Sequence, residues 1–138
     1  VHHPMPLFHT EHCVIAALLS KGHDHTSCGR PCETHVVSLR DRVGMDLPVE
    51  ADVGCRNTVF HARAQSAAEL VPAARAAGVA RFRIELVREG AEDVSRIVRA
   101  WRAFLRGDQG ASELQRALVT SDGHGSVKGS LRVLGASR

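Results

Sequence analysis

Tyrosine is missing from this chain altogether, and one tryptophan and four phenylalanines are its only aromatic residues. With so few aromatics and with arginines scattered along the chain, no nucleic-acid-binding face declares itself. Long apolar runs are missing too. Nothing approaches the roughly 20 residues that a membrane helix needs, so no membrane span is expected. The opening Val1-His2-His3-Pro4-Met5-Pro6 has neither a basic stretch nor an apolar one. No secretory signal is read there, and the expected location is cytoplasmic. A Gly-rich phosphate loop, a nucleophile elbow, an H-E-x-x-H motif and an internal repeat are all absent. What remains is 138 residues, 43% hydrophobic and 24% charged. That excludes disorder and collagen, and the chain is long enough to bury a core without disulfides.

What is present is unevenly spread. Residues 1–69 carry six Lys/Arg against eight Asp/Glu, whereas residues 70–138 carry twelve against seven. All four cysteines and eight of the nine histidines fall in the acidic half. Potential metal ligands and mild acidity therefore sit together, apart from an Arg-rich remainder.

The pattern reads as alternating strands and helices. Residues 5–9 suggest a strand, Thr10 a cap for a helix through about Leu19, and residues 22–34 a loop rich in ligand atoms. Val37/Leu39 and Val49/Ala51/Val53 alternate on either side of Arg42-Val43-Gly44-Met45, which predicts a hairpin. A helix is expected from Asn57 or Thr58 through Gln65 and Glu69, broken or restarted at Pro72 and ended by Gly78. Residues 81–87 alternate at period two and predict a strand, with Arg83 and Glu85 opposite Phe82, Ile84 and Leu86. Residues 91–106 place Val94, Ile97, Val98, Trp101, Phe104 and Leu105 at helical spacing, with Trp101 in the core. A weaker helix over 112–119 and a short strand at Leu131/Val133 complete the expectation. Three β/α units argue for α/β architecture with a parallel sheet and the β-hairpin inserted. An eightfold barrel typically needs about 250 residues, so this chain would be part of one or a smaller layered structure. It also starts in a segment that already reads as structured, which suggests a fragment. The expected division is a cysteine-bearing α/β segment over 1–107 and a helix with a Gly/Ser-rich tail over 108–138.

Cys13, Cys28, Cys32 and Cys55 are spaced C-x14-C-x3-C-x22-C. In a chain without a secretory signal this favours metal over disulfides, with ordinary burial as the bland alternative. Glycine and proline in Cys28-Gly29-Arg30-Pro31-Cys32 suit a turn that points two thiolates at one place. Cys13 and Cys55 each stand where a strand is expected to hand over to a helix, whose N-terminus would lower a thiol pKa. Four thiolates suit a four-iron iron–sulfur cluster or zinc, and the loose spacing leans toward the cluster. His12, His23, His25 and His35 would permit a mixed zinc site, or be surface histidines without function. Glu11 and Asp52, at or past the carboxyl ends of expected strands, and Arg56, next to Cys55, are candidate catalytic residues. Helix capping and surface charge would explain them equally.

Several ordered motifs stand together: Pro6-Leu7-Phe8-His9-Thr10-Glu11-His12-Cys13, Cys28-Gly29-Arg30-Pro31-Cys32, Leu39-Arg40-Asp41-Arg42, Ala51-Asp52-Val53-Gly54-Cys55-Arg56-Asn57-Thr58-Val59-Phe60 and Arg81-Phe82-Arg83-Ile84-Glu85-Leu86. Through them the chain resembles the collagenase-like peptidases, the U-thirty-two peptidase family, over roughly residues 4–106. The resemblance implies a partial (β/α) barrel-like segment with an inserted β-hairpin. It also implies that Cys13, Cys28, Cys32 and Cys55 ligate an iron–sulfur cluster supporting oxygen-independent hydroxylation of RNA bases or quinone precursors. Glu11, Asp52 and Arg56 would then border a pocket for an anionic co-substrate. Peptide hydrolysis with Glu11 or Asp52 as general base, as the family's name suggests, is the alternative, and a non-catalytic zinc-stapled module is a third. The substrate would be a small molecule, a peptide or RNA, and the partner a missing barrel half or a second copy of the chain.

Overall fold

Side-chain alternation governs the first half of this chain, where most of the residues up to Ser66 that form regular structure are strands. The computed structural model describes residues 1–22, 24–119 and 125–128. Strands β1 (His2–Thr10), β2 (Val37–Arg40), β3 (Asp46–Ala51) and β4 (Asn57–Ser66) lie in the order β1-β4-β3-β2, and β5 (Ser126–Val127) pairs with β4. The β2/β3 and β3/β4 pairs are antiparallel and the β4/β5 pair is parallel. Four α-helices accompany the sheet: α1 (Val14–Leu19), α2 (Val71–Ala76), α3 (Ala91–Arg106) and α4 (Ala111–Ala117). The chain is thus mixed α and β with the expected β2/β3 hairpin. Its sheet is open, and β2, β3 and β4 run antiparallel where parallel β/α units were expected. Among the described residues no helix is long and apolar enough to cross a membrane.

The main correction is β4, expected as a helix. Asn57 and Val59 face the same side as their partners Ala51 and Val49, while Thr58 faces the other with Glu50. That period-two division, with β-branched Thr58 and Val59, fits a pleated surface better than a helix. A tight turn at 52–56, closed by Asp52 N–H donating to the Arg56 carbonyl at 2.9 Å, sends the chain straight back along β3. The second correction concerns 81–87, which forms no strand but a single parallel bridge between His2 and Ile84. Its side chains still divide as expected, Phe82, Ile84 and Leu86 packing on a core and Arg83 being exposed. Alternation supplied the faces, but no long partner strand supplied a ladder. The third is the start of α1: Cys13 caps it rather than Thr10. The expected strand at Leu131/Val133 lies outside the described residues.

Two compact units divide the chain, Met5–Ala62 and Val1–Pro4 with Arg63–Arg138. In the first, Ile15 of α1 meets Val49 and Val59, with Val37, Leu39, Leu47 and Ala51 around them. The register Val37↔Val49, Leu39↔Leu47 and Val49↔Val59 places these on one sheet face. In the second, Ile97, Ala100 and Trp101 of α3 pack with Ala68, Val71, Leu114 and Leu118. Helix α3 matches its expected bounds, with Glu92 and Asp93 in its first turn and Arg106 in its last, as the helix dipole favours.

Candidate metal centre

Cys13 ends the link from β1 into α1. Its Sγ accepts the Ala16 N–H at 3.4 Å, satisfying one of the donors a helix start leaves open. A second donor comes from far along the chain: Asn57 Nδ2 lies 3.7 Å from the same sulfur. Asn57 also donates to the Cys55 carbonyl at 3.5 Å, and its Oδ1 accepts the Val14 N–H at 2.6 Å.

The loop that follows is ordered from within by Asp24. Its Oδ1 accepts from the N–H and hydroxyl of both Thr26 and Ser27, and these bonds, the Thr26 hydroxyl's first, bring its pKa down to about 2. The Asp24 carbonyl accepts the Cys28 N–H at 2.8 Å. Beyond it the backbone turns left-handed at Gly29 (φ 69°) and Arg30 (φ 52°), and Arg30 donates its N–H to Cys28 Sγ at 3.4 Å. Buried Pro31 then opens a short 3-10 turn, Pro31–Glu33, which carries the exposed Cys32 and packs against α1. Glycine and proline thus shape this turn as the sequence suggested.

Cys55 occupies the β3/β4 turn, not a helix N-terminus as expected. Its φ of 63° is left-handed, a conformation that costs a residue other than glycine about 1–3 kcal/mol. Its thiol pKa is raised rather than lowered, first by desolvation and then by negative charge at Cys13, Cys28, Cys32 and Asp52. None of the four is in a disulfide. Among the described residues no three His, Cys, Asp or Glu side chains are drawn together tightly enough to hold a metal ion as they stand.

Of the candidate catalytic residues, Asp52 and Arg56 stand on either side of Cys55 in the turn and are engaged with each other. Asp52 Oδ2 accepts from Arg56 Nε at 3.0 Å and Nη2 at 2.8 Å, while its Oδ1 accepts the N–H groups of Gly54 and Arg56 at 2.8 and 3.1 Å. The Arg56 guanidinium, more than those amides, holds the Asp52 carboxyl below its usual range. Arg56 is in turn raised by Asp52 and, more weakly, by the charge of exposed Glu11. His12 and His25 are exposed, and His35 Nδ1 lies 2.9 Å from the Thr34 hydroxyl and 3.2 Å from the Pro31 carbonyl. His23 lies outside the described residues. Sequence reasoning missed Asn57 by placing it at a helix start; its alternation with Val59 was the available signal. Comparison of the chain with protein-family models, with curated proteins and with solved structures found no match.

Proposed function

We propose that Cys13, Cys28, Cys32 and Cys55 together hold a metal centre, a four-iron iron–sulfur cluster with zinc as the alternative, in an enzyme resembling the collagenase-like peptidases. One observation carries this: Cys13 caps the helix on which the Cys32 turn packs, and Asn57 links the Cys13 sulfur to the Cys55 backbone. Backbone N–H groups directed at the Cys13 and Cys28 sulfurs, and the left-handed Arg30 and Cys55, add support. Strain of this kind persists where a site needs it. A bound cluster would supply single-electron chemistry, in keeping with oxygen-independent hydroxylation of an RNA base or a small-molecule precursor. Completion of a barrel by further chain or by a second copy belongs to the same proposal. Peptide hydrolysis gains no support from Asp52, whose oxygens are taken up by Arg56 and backbone amides and whose low pKa makes it a weak base at neutral pH.

The test is anaerobic reconstitution of the chain with ferrous iron and sulfide, and separately with zinc. A brown protein with about four iron and about four sulfide per chain is expected. About one zinc and no iron would favour the stapled module. Cys28→Ser should abolish or sharply reduce loading, and a wild-type chain that takes up neither metal rejects the proposal.

A further inference from the structure

Among the described residues of the Met5–Ala62 unit, Asn57 is the one buried polar side chain, with no exposed surface at all. Its register position asks for something else. It faces the side of the sheet that carries Val49, Val59 and Ala51, where an apolar residue would pack without a desolvation cost. A carboxamide survives there only by spending its donors and its acceptor. Oδ1 takes the Val14 N–H, and Nδ2 reaches both the Cys13 sulfur and the Cys55 carbonyl. One side chain thereby ties together two cysteine-bearing segments that are far apart in the chain.

We infer that Asn57 is a positioning residue of the cysteine centre, its Nδ2 N–H directed at the Cys13 sulfur and its two other bonds locking the Cys13 and Cys55 segments together. This rests on the metal-centre reading proposed above. An N–H donor withdraws electron density from a thiolate, so it both favours the ionised sulfur and tunes whatever metal the sulfur holds. Val14 N–H and Ala16 N–H hold α1 and its cap, and Asn57 adds a side-chain donor to that sulfur. Asn57→Asp retains an acceptor for Val14 and removes the donor. Asn57→Leu retains apolar packing and removes both.

The full chain is loaded with NMR-active cadmium, which binds thiolates and reports on them directly. A through-bond correlation from the Asn57 side-chain amide proton to cadmium, across the N–H···S bond, is expected in the wild-type protein. Cadmium affinity should fall about 10- to 100-fold in Asn57→Asp and in Asn57→Leu, as for outer-shell partners of metal ligands elsewhere. Thermal melts of the metal-free variants show whether they fold. If they do not, the wild-type correlation decides alone. Cadmium bound through the cysteines without that correlation, and with affinity kept in a folded variant, overturns the inference and leaves the centre standing. A wild-type chain that binds no cadmium overturns the centre and this role with it.

Discussion

At the scale of single residues, burial separates groups that titrate from groups that hold shape. His2 is 2% exposed, stands edge-on to Trp101 with ring centroids 6.4 Å apart, and among the described residues neither of its ring nitrogens has a hydrogen-bond partner. Desolvation lowers its pKa from 6.5, with Glu89 opposing and His3 and the amino terminus reinforcing the shift. The folded value lies below the unfolded one, so below about pH 6.5 the unfolded chain binds the extra proton. Stability is therefore expected to drop as pH falls from about 7.5 to about 5.5, by at most about 1.4 kcal/mol per pH unit from this group. Urea denaturation across that range checks it. His2→Phe, which keeps an aromatic edge against Trp101, should flatten the profile, and an unchanged slope would place the pH dependence elsewhere. Asp52 works in the opposite direction to a catalytic base: held ionised by Arg56, it stiffens the turn that presents Cys55. Alternation was legible at Val49 and Ala51 but not at Asn57 and Val59, because a polar residue ahead of such a run reads as a helix cap until its partners are known.

At the scale of elements, the loop between α1 and the Cys28 turn depends on backbone closeness more than on side-chain packing. Gly22 lies so near the chain that a Cβ there would fall on the carbonyl of Ser27 and the N–H of Cys28. Backbone atoms cannot swing aside as a flexible side chain would. Gly22→Ala should therefore displace the Cys28 segment, destabilising the chain by about 1–3 kcal/mol and weakening metal uptake. Paired denaturation and metal titrations measure both, and unaltered uptake would show that Cys28 is not placed by this contact. Elements with their own internal signal were readable in advance. Helix α3 has apolar spacing, acidic and basic ends and a glycine just past its last turn, all local properties of the chain. The β2/β3 hairpin was readable likewise, from alternation on either side of Arg42-Val43-Gly44-Met45, and in the structure Asp41 accepts the Val43 and Met45 N–H groups at 2.9 Å within the turn. Residues 81–87 have strand-like alternation and no ladder, because a strand is defined by its neighbour and only Ile84 found one.

At the scale of the whole molecule, the cysteines, most of the histidines and the Arg-rich stretch remain divided along the chain as the charge count indicated. Metal at the proposed centre would bind the folded Met5–Ala62 unit and not the unfolded chain, so loading should stabilise it by mass action. Free metal at about a hundredfold over its dissociation constant is expected to add about 2.7 kcal/mol. Thermal melts with and without metal, reversed by a chelator and abolished in Cys28→Ser, measure that increment. Equal melts would mean that metal and fold are not linked. The amino-acid sequence by itself determined the mixed composition, α3, α4, the first hairpin, the faces of 81–87 and which four sulfurs to watch, because periodicity, capping and turn chemistry act between near neighbours. Only the tertiary structure decided that 57–66 is a strand, that β2, β3 and β4 run antiparallel in an open sheet, and that Asn57 joins Cys13 to Cys55. Pairing partners and buried hydrogen bonds are made between segments distant in the chain, and no local pattern states which segments will meet.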